Sequence, residues 1–293
     1  MGFYVGANYI FGLPDDDFDS MKKKFELGVK YCFDDVLQIA AGANVEKVSN
    51  DKYDEIKPIF IIGVPRCGST LVEKIIASGI KEIPMGEETG IFENYINKKI
   101  LEKESLNLGN CKEIRKELYD LYKERGLISK KNNNIFTDKS LNNFFYLRII
   151  KKIYPNSKII NCKRNVLSSI VSIFQNNLNE LAWTHDLNNI FKYFNNYFKI
   201  IDNYNNELEL NSIYHLEFEK LTIEPEAESK KLMKFCELPW DKKCLEFYKR
   251  KDLISKTASN IQIRKAIYKH SLEKYSPYKK LLDEYGKKYS WFN

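Results

Sequence analysis

The chain has 293 residues, 43% hydrophobic, 30% charged and 14% aromatic, a globular profile that excludes disorder as the default and leaves room for one large α/β domain with a short appendage. Its 47 basic and 40 acidic residues give a net charge of +7 with the two signs interspersed, which suits an anionic ligand, while no nucleic-acid recognition motif accompanies it. Six cysteines without a CxxC pair read as free thiols of a reducing, cytoplasmic protein.

Residues 1–55 read as a helical segment of unknown role, with Phe18, Met21, Phe25 and Val29 roughly on one face. The opening apolar stretch is too short for a membrane span and has no basic region followed by a small-residue cleavage site, so no membrane crossing or export is expected. From residue 56 to 293 the pattern is that of one domain. Four short apolar runs stand out as strands: Pro58 to Gly63, Ile135 to Thr137, Lys158 to Cys162 and Ser212 to Leu216. Helical patterns separate them. Leu71, Val72, Ile75 and Ile76 repeat at helical spacing after the first run, and Leu167, Ile170, Val171 and Phe174 form an i, i+3, i+4, i+7 stripe after the third. The alternation predicts an α/β fold, a parallel sheet flanked by helices, whose ligands sit beyond the carboxyl ends of the strands.

The residues just after those ends are basic and hydroxylated. Gly63 to Thr70, GVPRCGST, lies between a buried-type strand and an amphipathic helix with its two glycines four residues apart. That is phosphate-loop geometry: backbone N–H groups and the positive end of the following helix cradle an anion. The nucleoside-triphosphatase version has Lys followed by Ser or Thr after the second Gly. Here Ser69 takes the Lys position and Arg66 supplies a cation from within the loop. A ligand without a triphosphate does not require that Lys. The metal-binding strand that ends in Asp is also absent from the reading, since the third run ends in Lys163 and Arg164, and the three His residues have no ligand spacing. The loop is expected to hold an anion without a metal.

PIFIIGVPRCGSTLVEKIIAS resembles the 5′-phosphosulfate loop of sulfotransferases that use 3′-phosphoadenosine 5′-phosphosulfate (PAPS), where PRSGTT or a close variant follows a hydrophobic strand; Cys67 and Ser69 are small departures. YPNSKIINCKRNVLSSIVS resembles the 3′-phosphate segment of that family, in which a strand ends in Arg and a Ser follows eight residues later, as Arg164 and Ser172 do. The resemblance runs from about residue 57 to 285, nearest the bacterial tetratricopeptide-linked members and more distantly the tyrosylprotein sulfotransferases. It implies the P-loop nucleoside-triphosphatase-like sulfotransferase fold and PAPS as donor, with PAP, adenosine 3′,5′-bisphosphate, as product.

Residue by residue, the resemblance implies that Arg66, Cys67, Gly68, Ser69 and Thr70 hold the 5′ end of the cofactor and that Arg164 and Ser172 hold its 3′-phosphate. GEETGI matches the stretch whose second Glu is the general base, here Glu88, with Glu87 as the alternative and His185 as a rival from the small-molecule enzymes. TDKS places Lys139 near the transferring group, and KTASNIQIRKAIY resembles the carboxyl-terminal cofactor loop, with Ser259, Arg264 and, beyond it, Lys274 as contacts. Phe218 stands where relatives often have Tyr, which loses a hydroxyl and keeps a ring. The acceptor side falls to residues 92–133 and 176–210, which name no substrate among protein tyrosines, carbohydrates, lipids and small molecules. A nucleotide-dependent kinase with a degenerate loop and a non-catalytic nucleotide-binding protein of the same fold remain as alternatives.

Overall fold

The structure, a computed structural model, describes residues 56–103, 111–128, 134–176, 181–207, 213–250 and 275–292, together with Tyr53, Leu178, Asp252, Leu253 and Ile267. The amino-terminal helical expectation therefore lies outside the described residues, as do Ser259, Arg264 and Lys274.

Four strands form one sheet: β1 (Lys57–Gly63), β2 (Ile135–Asp138), β3 (Lys158–Lys163) and β4 (Ile213–Glu217). All pairings are parallel, in the order β2-β1-β3-β4. The first three expected strands differ from these by one residue at one end, and the fourth by one residue at each end. Ile59, Phe60, Ile61 and Ile62 are all buried, as a central strand covered on both faces requires. The helices are α1 (Ser69–Ala77), α2 (Ile91–Lys103), α3 (Cys111–Glu124), α4 (Leu147–Ile153), α5 (Val166–Gln175), α6 (Leu187–Glu207), α7 (Phe218–Ile223), α8 (Pro225–Phe235) and α9 (Lys279–Gly286). The stretches assigned to the acceptor side thus contain α2, α3 and α6 rather than loops alone. Among the described residues no helix is long and apolar enough to cross a membrane.

The strand order fixes where a ligand can sit. From β1 the chain crosses to β2 on one side, then returns past β1 to place β3 on the other side. The crevice between the carboxyl ends of β1 and β3 is the switch point of the sheet, where adjoining loops part and leave an opening. The loop after β1 carries Arg66 and the loop after β3 carries Arg164, one on each lip.

Two sequence expectations need correction. The stripe of α5 is turned from the predicted one: Ser169, Ile170, Val171 and Ile173 face inward while Phe174 is 47% exposed. Ile173, about 100° round the helix from Phe174, takes the inward place. The second concerns the supposedly absent strand ending in Asp. β2 runs one residue beyond its apolar run and ends in Asp138, which is fully buried. Its carboxylate is occupied within the fold: Oδ1 accepts from the Ser140 N–H (3.0 Å) and Asn143 Nδ2 (3.2 Å), and Oδ2 from the Tyr122 hydroxyl (2.7 Å). Burial pushes the Asp138 carboxyl up, and these donors only partly offset it.

Candidate active site

The loop between β1 and α1 is shaped by two residues with positive φ, Arg66 (68°) and Gly68 (97°). Gly68 is the N-cap of α1. A Cβ there would lie 2.3 Å from the ring of Phe218, so the loop tolerates only hydrogen at that place. Because the first N–H groups of a helix have no partner within it, Ser69 and Thr70 begin α1 with donors at the mouth of the crevice. Cys67 is fully buried beneath the loop. The neighbouring Cys162 thiol in β3 lowers the proton affinity of Cys67, and that of Cys162 is raised.

Across the crevice, Arg164 Nη1 donates to the backbone carbonyl of Arg66 (2.9 Å), and Arg66 Nε donates to Ser172 Oγ (3.1 Å). The Arg164 guanidinium lies 4.8 Å from the centroid of the Phe218 ring, so one ring backs both the loop glycine and the second arginine. Burial lowers the proton affinity of both guanidiniums, and Arg164 lowers that of Arg66 further by like-charge repulsion. An anion between them relieves that repulsion and meets bidentate donors. Arg66, Arg164 and Ser172, distant by up to 106 positions in sequence, thus form one cluster.

A second cluster is built around Lys139, whose side chain is completely buried. A buried ammonium is costly unless it is paired. Lys139 Nζ donates to Glu88 Oε1 at 2.8 Å, and the Glu88 side chain is 53% exposed. Burial pulls the Lys139 ammonium down, yet Glu73, Glu88 and Glu87 outweigh it and raise its proton affinity. Glu88 carries the contact to Lys139, whereas Glu87 contributes its backbone: its N–H donates to Glu73 Oε1 (2.9 Å) and its carbonyl accepts from the Lys139 N–H (2.9 Å). His185 ends a short 3₁₀ turn (Ala182–His185) and is exposed.

Glu73 was not singled out in sequence. It is fully buried in α1, where Oε1 also accepts from the Thr137 hydroxyl (2.7 Å) and Oε2 has no hydrogen-bond partner. The Gly86 N–H donates to Thr137 Oγ1 (3.1 Å), and a Cβ on Gly86 would sit 2.0 Å from the Thr137 carbonyl oxygen. The helix that follows the phosphate loop therefore fixes the loop bearing Glu88, through one carboxylate and one hydroxyl. Beside the stripe of Leu71, Val72, Ile75 and Ile76, Glu73 has the sequence signature of an ordinary polar helix face.

Beyond Glu88, Glu93 lies in α2 and is 5% exposed, accepting from Asn142 Nδ2 at 3.3 Å. Asn142 Oδ1 in turn accepts from the Tyr193 hydroxyl (3.4 Å), and Tyr193 stacks on Trp183 with centroids 4.1 Å apart. Burial raises the Glu93 carboxyl from its ordinary 4.5 to about 7. Because the folded chain holds this proton more tightly than the unfolded one, stability is greatest below about pH 4.5 with respect to this group and falls as pH rises to about 7. The loss amounts to about 3 kcal/mol. Glu93→Gln is expected to flatten that part of the stability profile and to raise the melting temperature at pH 8 relative to wild type; a parallel displacement of the whole profile would count against it.

Comparisons with known proteins bear on the family and the fold. The model of the sulfotransferase family matches residues 58–242. An uncharacterized protein of Aquifex aeolicus (strain VF5) is 33% identical over 251 residues, which are 81% of this chain and 33% of the relative. Protein-tyrosine sulfotransferase A of Caenorhabditis elegans is 25% identical over 213 residues, covering 67% of this chain and 54% of the relative. The chain thus spans about a third and about half of the lengths of these two relatives. In three dimensions, the sulfotransferase domain from the Synechococcus PCC 7002 olefin synthase superposes with a TM-score of 0.52 at 16% identity, covering 78% of this chain and 91% of that one, a likeness of fold.

Proposed function

Since the chain belongs to the sulfotransferase family, we propose that it transfers the sulfo group of PAPS to a hydroxyl or amine of an acceptor, in line and with side-chain cations in place of a metal. The observation that carries this reading is the meeting of Arg66, Arg164 and Ser172 at the β1/β3 crevice. Arg164 and Ser172 bind the 3′-phosphate of the donor, which a nucleoside triphosphate does not have. The loop N–H groups and the amino end of α1 receive the 5′-phosphosulfate, as helix starts receive anions.

In the transfer step the acceptor oxygen or nitrogen attacks sulfur, the S–O bond to the 5′-phosphate breaks, and the acceptor proton passes to a base. Glu88 is that base: its carboxylate is half-exposed on the acceptor side and held by Lys139. Lys139 and the loop N–H groups, with Arg66 rising from the same loop, meet the charge that builds on the departing oxygen. The Lys139–Glu88 contact sets base and cation 2.8 Å apart, and a proton arriving on Glu88 weakens that pair and leaves Lys139 to the leaving group. Arg164, Phe218 and Gly68 keep the nucleotide end rigid while this happens.

The test is a parallel incubation with sulfur-labelled PAPS and γ-labelled ATP, across phenols, sugars, lipids and amines, once with magnesium and once with a chelator. Label is expected to leave PAPS and to remain on ATP. Magnesium-dependent transfer from ATP would instead establish the kinase reading.

A further inference from the structure

The opposite end of the sheet has a groove of about 440 Å³ that the reaction does not use. Its floor is formed at the first residues of three neighbouring strands, Lys57 of β1, Ile135 of β2 and Lys158 of β3. Its walls are Lys81 after α1, Lys151 and the turn Pro155 to Ser157 after α4, and Phe235 to Glu237 at the end of α8. Strands here run away from the groove, so it lies one strand length from Arg66 and Arg164.

The lining carries four lysines and one acid, Glu237. Glu237 is paired with Lys158 at 2.6 Å and also feels Lys57, so a single carboxylate faces the four lysines of the lining. Lys151 Nζ is held by the Ser157 carbonyl (2.7 Å), and burial followed by Lys158 lowers its proton affinity. Ser157 is buried in the turn that shapes this wall. Crowded ammonium groups repel, and one tetrahedral oxyanion among them relieves that cost. A ring completes the surface: Phe235 stacks on Tyr214 (5.2 Å between centroids) and carries Lys158 Nζ at 5.4 Å from its own centroid.

We propose that this groove is a second anion-binding site, separate from the donor site, that takes a small organic phosphate or sulfate ester. Lys57, Lys81 and Lys151 receive the oxyanion, and Phe235 takes the organic group. The volume fits a ligand well beyond a bare oxyanion, which is why an ester is favoured over the free ion.

The experiment is calorimetric titration of the full chain with phenyl phosphate, phenyl sulfate and inorganic phosphate, in wild type, Lys81→Ala/Lys151→Ala and Arg164→Ala. One equivalent of at least one ester is expected to bind, more tightly than inorganic phosphate, unchanged by Arg164→Ala and weakened tenfold or more by the double substitution; which ester is preferred names the head group. Absence of saturable ester binding in wild type, indifference to the double substitution, or loss in Arg164→Ala overturns the proposal. Should the double variant fail to fold by circular dichroism, the exposed Lys81→Glu decides alone, with the same tenfold loss expected. None of these outcomes bears on the donor site, whose own ligand is tested separately.

Discussion

Lys139→Met is expected to cost about 3–5 kcal/mol of folding stability, the usual result of removing one partner from a buried charge cluster. The substitution keeps the length and apolar stem of the side chain while deleting the ion-pair partner of Glu88 and a cation that offsets the burial of Glu73. Burial has already pushed the Glu73 carboxyl up, with Lys139, Thr137 and the Glu87 N–H opposing it; without Lys139 it is driven further toward the neutral form. Glu73→Gln alone loses the charge and keeps an oxygen for Thr137 and Glu87. The combined Lys139→Met/Glu73→Gln variant is therefore expected to be more stable than Lys139→Met alone, with a coupling of about 1–3 kcal/mol by denaturant unfolding. Additive losses would show that the two groups do not act as one cluster.

The second large effect concerns the proposed base. Glu88→Gln is expected to reduce turnover 10²- to 10⁴-fold, the range for loss of a positioned general base, with whichever acceptor the labelled-donor assay identifies. Affinity for adenosine 3′,5′-bisphosphate is expected to be unchanged, because Glu88 pairs with Lys139 whereas Arg66, Arg164 and Ser172 join in a cluster of their own. The amide retains an oxygen for Lys139, so a folding defect does not explain the loss. His185→Ala is expected to leave turnover close to wild type. The reverse pattern, in which His185→Ala abolishes turnover and Glu88→Gln spares it, would transfer the role of base to the histidine.

Much of the frame was legible in the sequence because its signals are local. The strand limits follow from short apolar runs closed by polar residues, and β1 could hardly be missed with Ile59 through Ile62 bounded by Lys57 and Gly63. The loop was legible because Gly68 has a backbone requirement, φ 97° against an aromatic ring, that sequence spacing preserves. Arg164 and Ser172 were found by resemblance, and the structure adds that Arg66 reaches them. What stayed hidden depends on tertiary packing. Glu73 looks like the polar side of an amphipathic helix, yet every residue of α1 is buried, and only the approach of Gly86 to Thr137 reveals what its carboxylate holds. Lys139 follows Asp138 at a strand end that reads as surface, and both are buried. Phe174 fits the apolar stripe of α5 by spacing, but the rotation of a helix against its sheet is set by neighbours far away in the chain. The groove at the other end of the sheet has no motif at all, because its lysines come from separate elements.

The most direct test of the account is calorimetric titration of adenosine 3′,5′-bisphosphate beside adenosine 5′-monophosphate, in wild type and Arg164→Ala. The wild type is expected to prefer the bisphosphate by tenfold or more, since charge-assisted bonds to the extra phosphate contribute about 1.5–3 kcal/mol each, and Arg164→Ala is expected to abolish that preference while the monophosphate affinity changes little. Equal affinity of the wild type for the two nucleotides would contradict it.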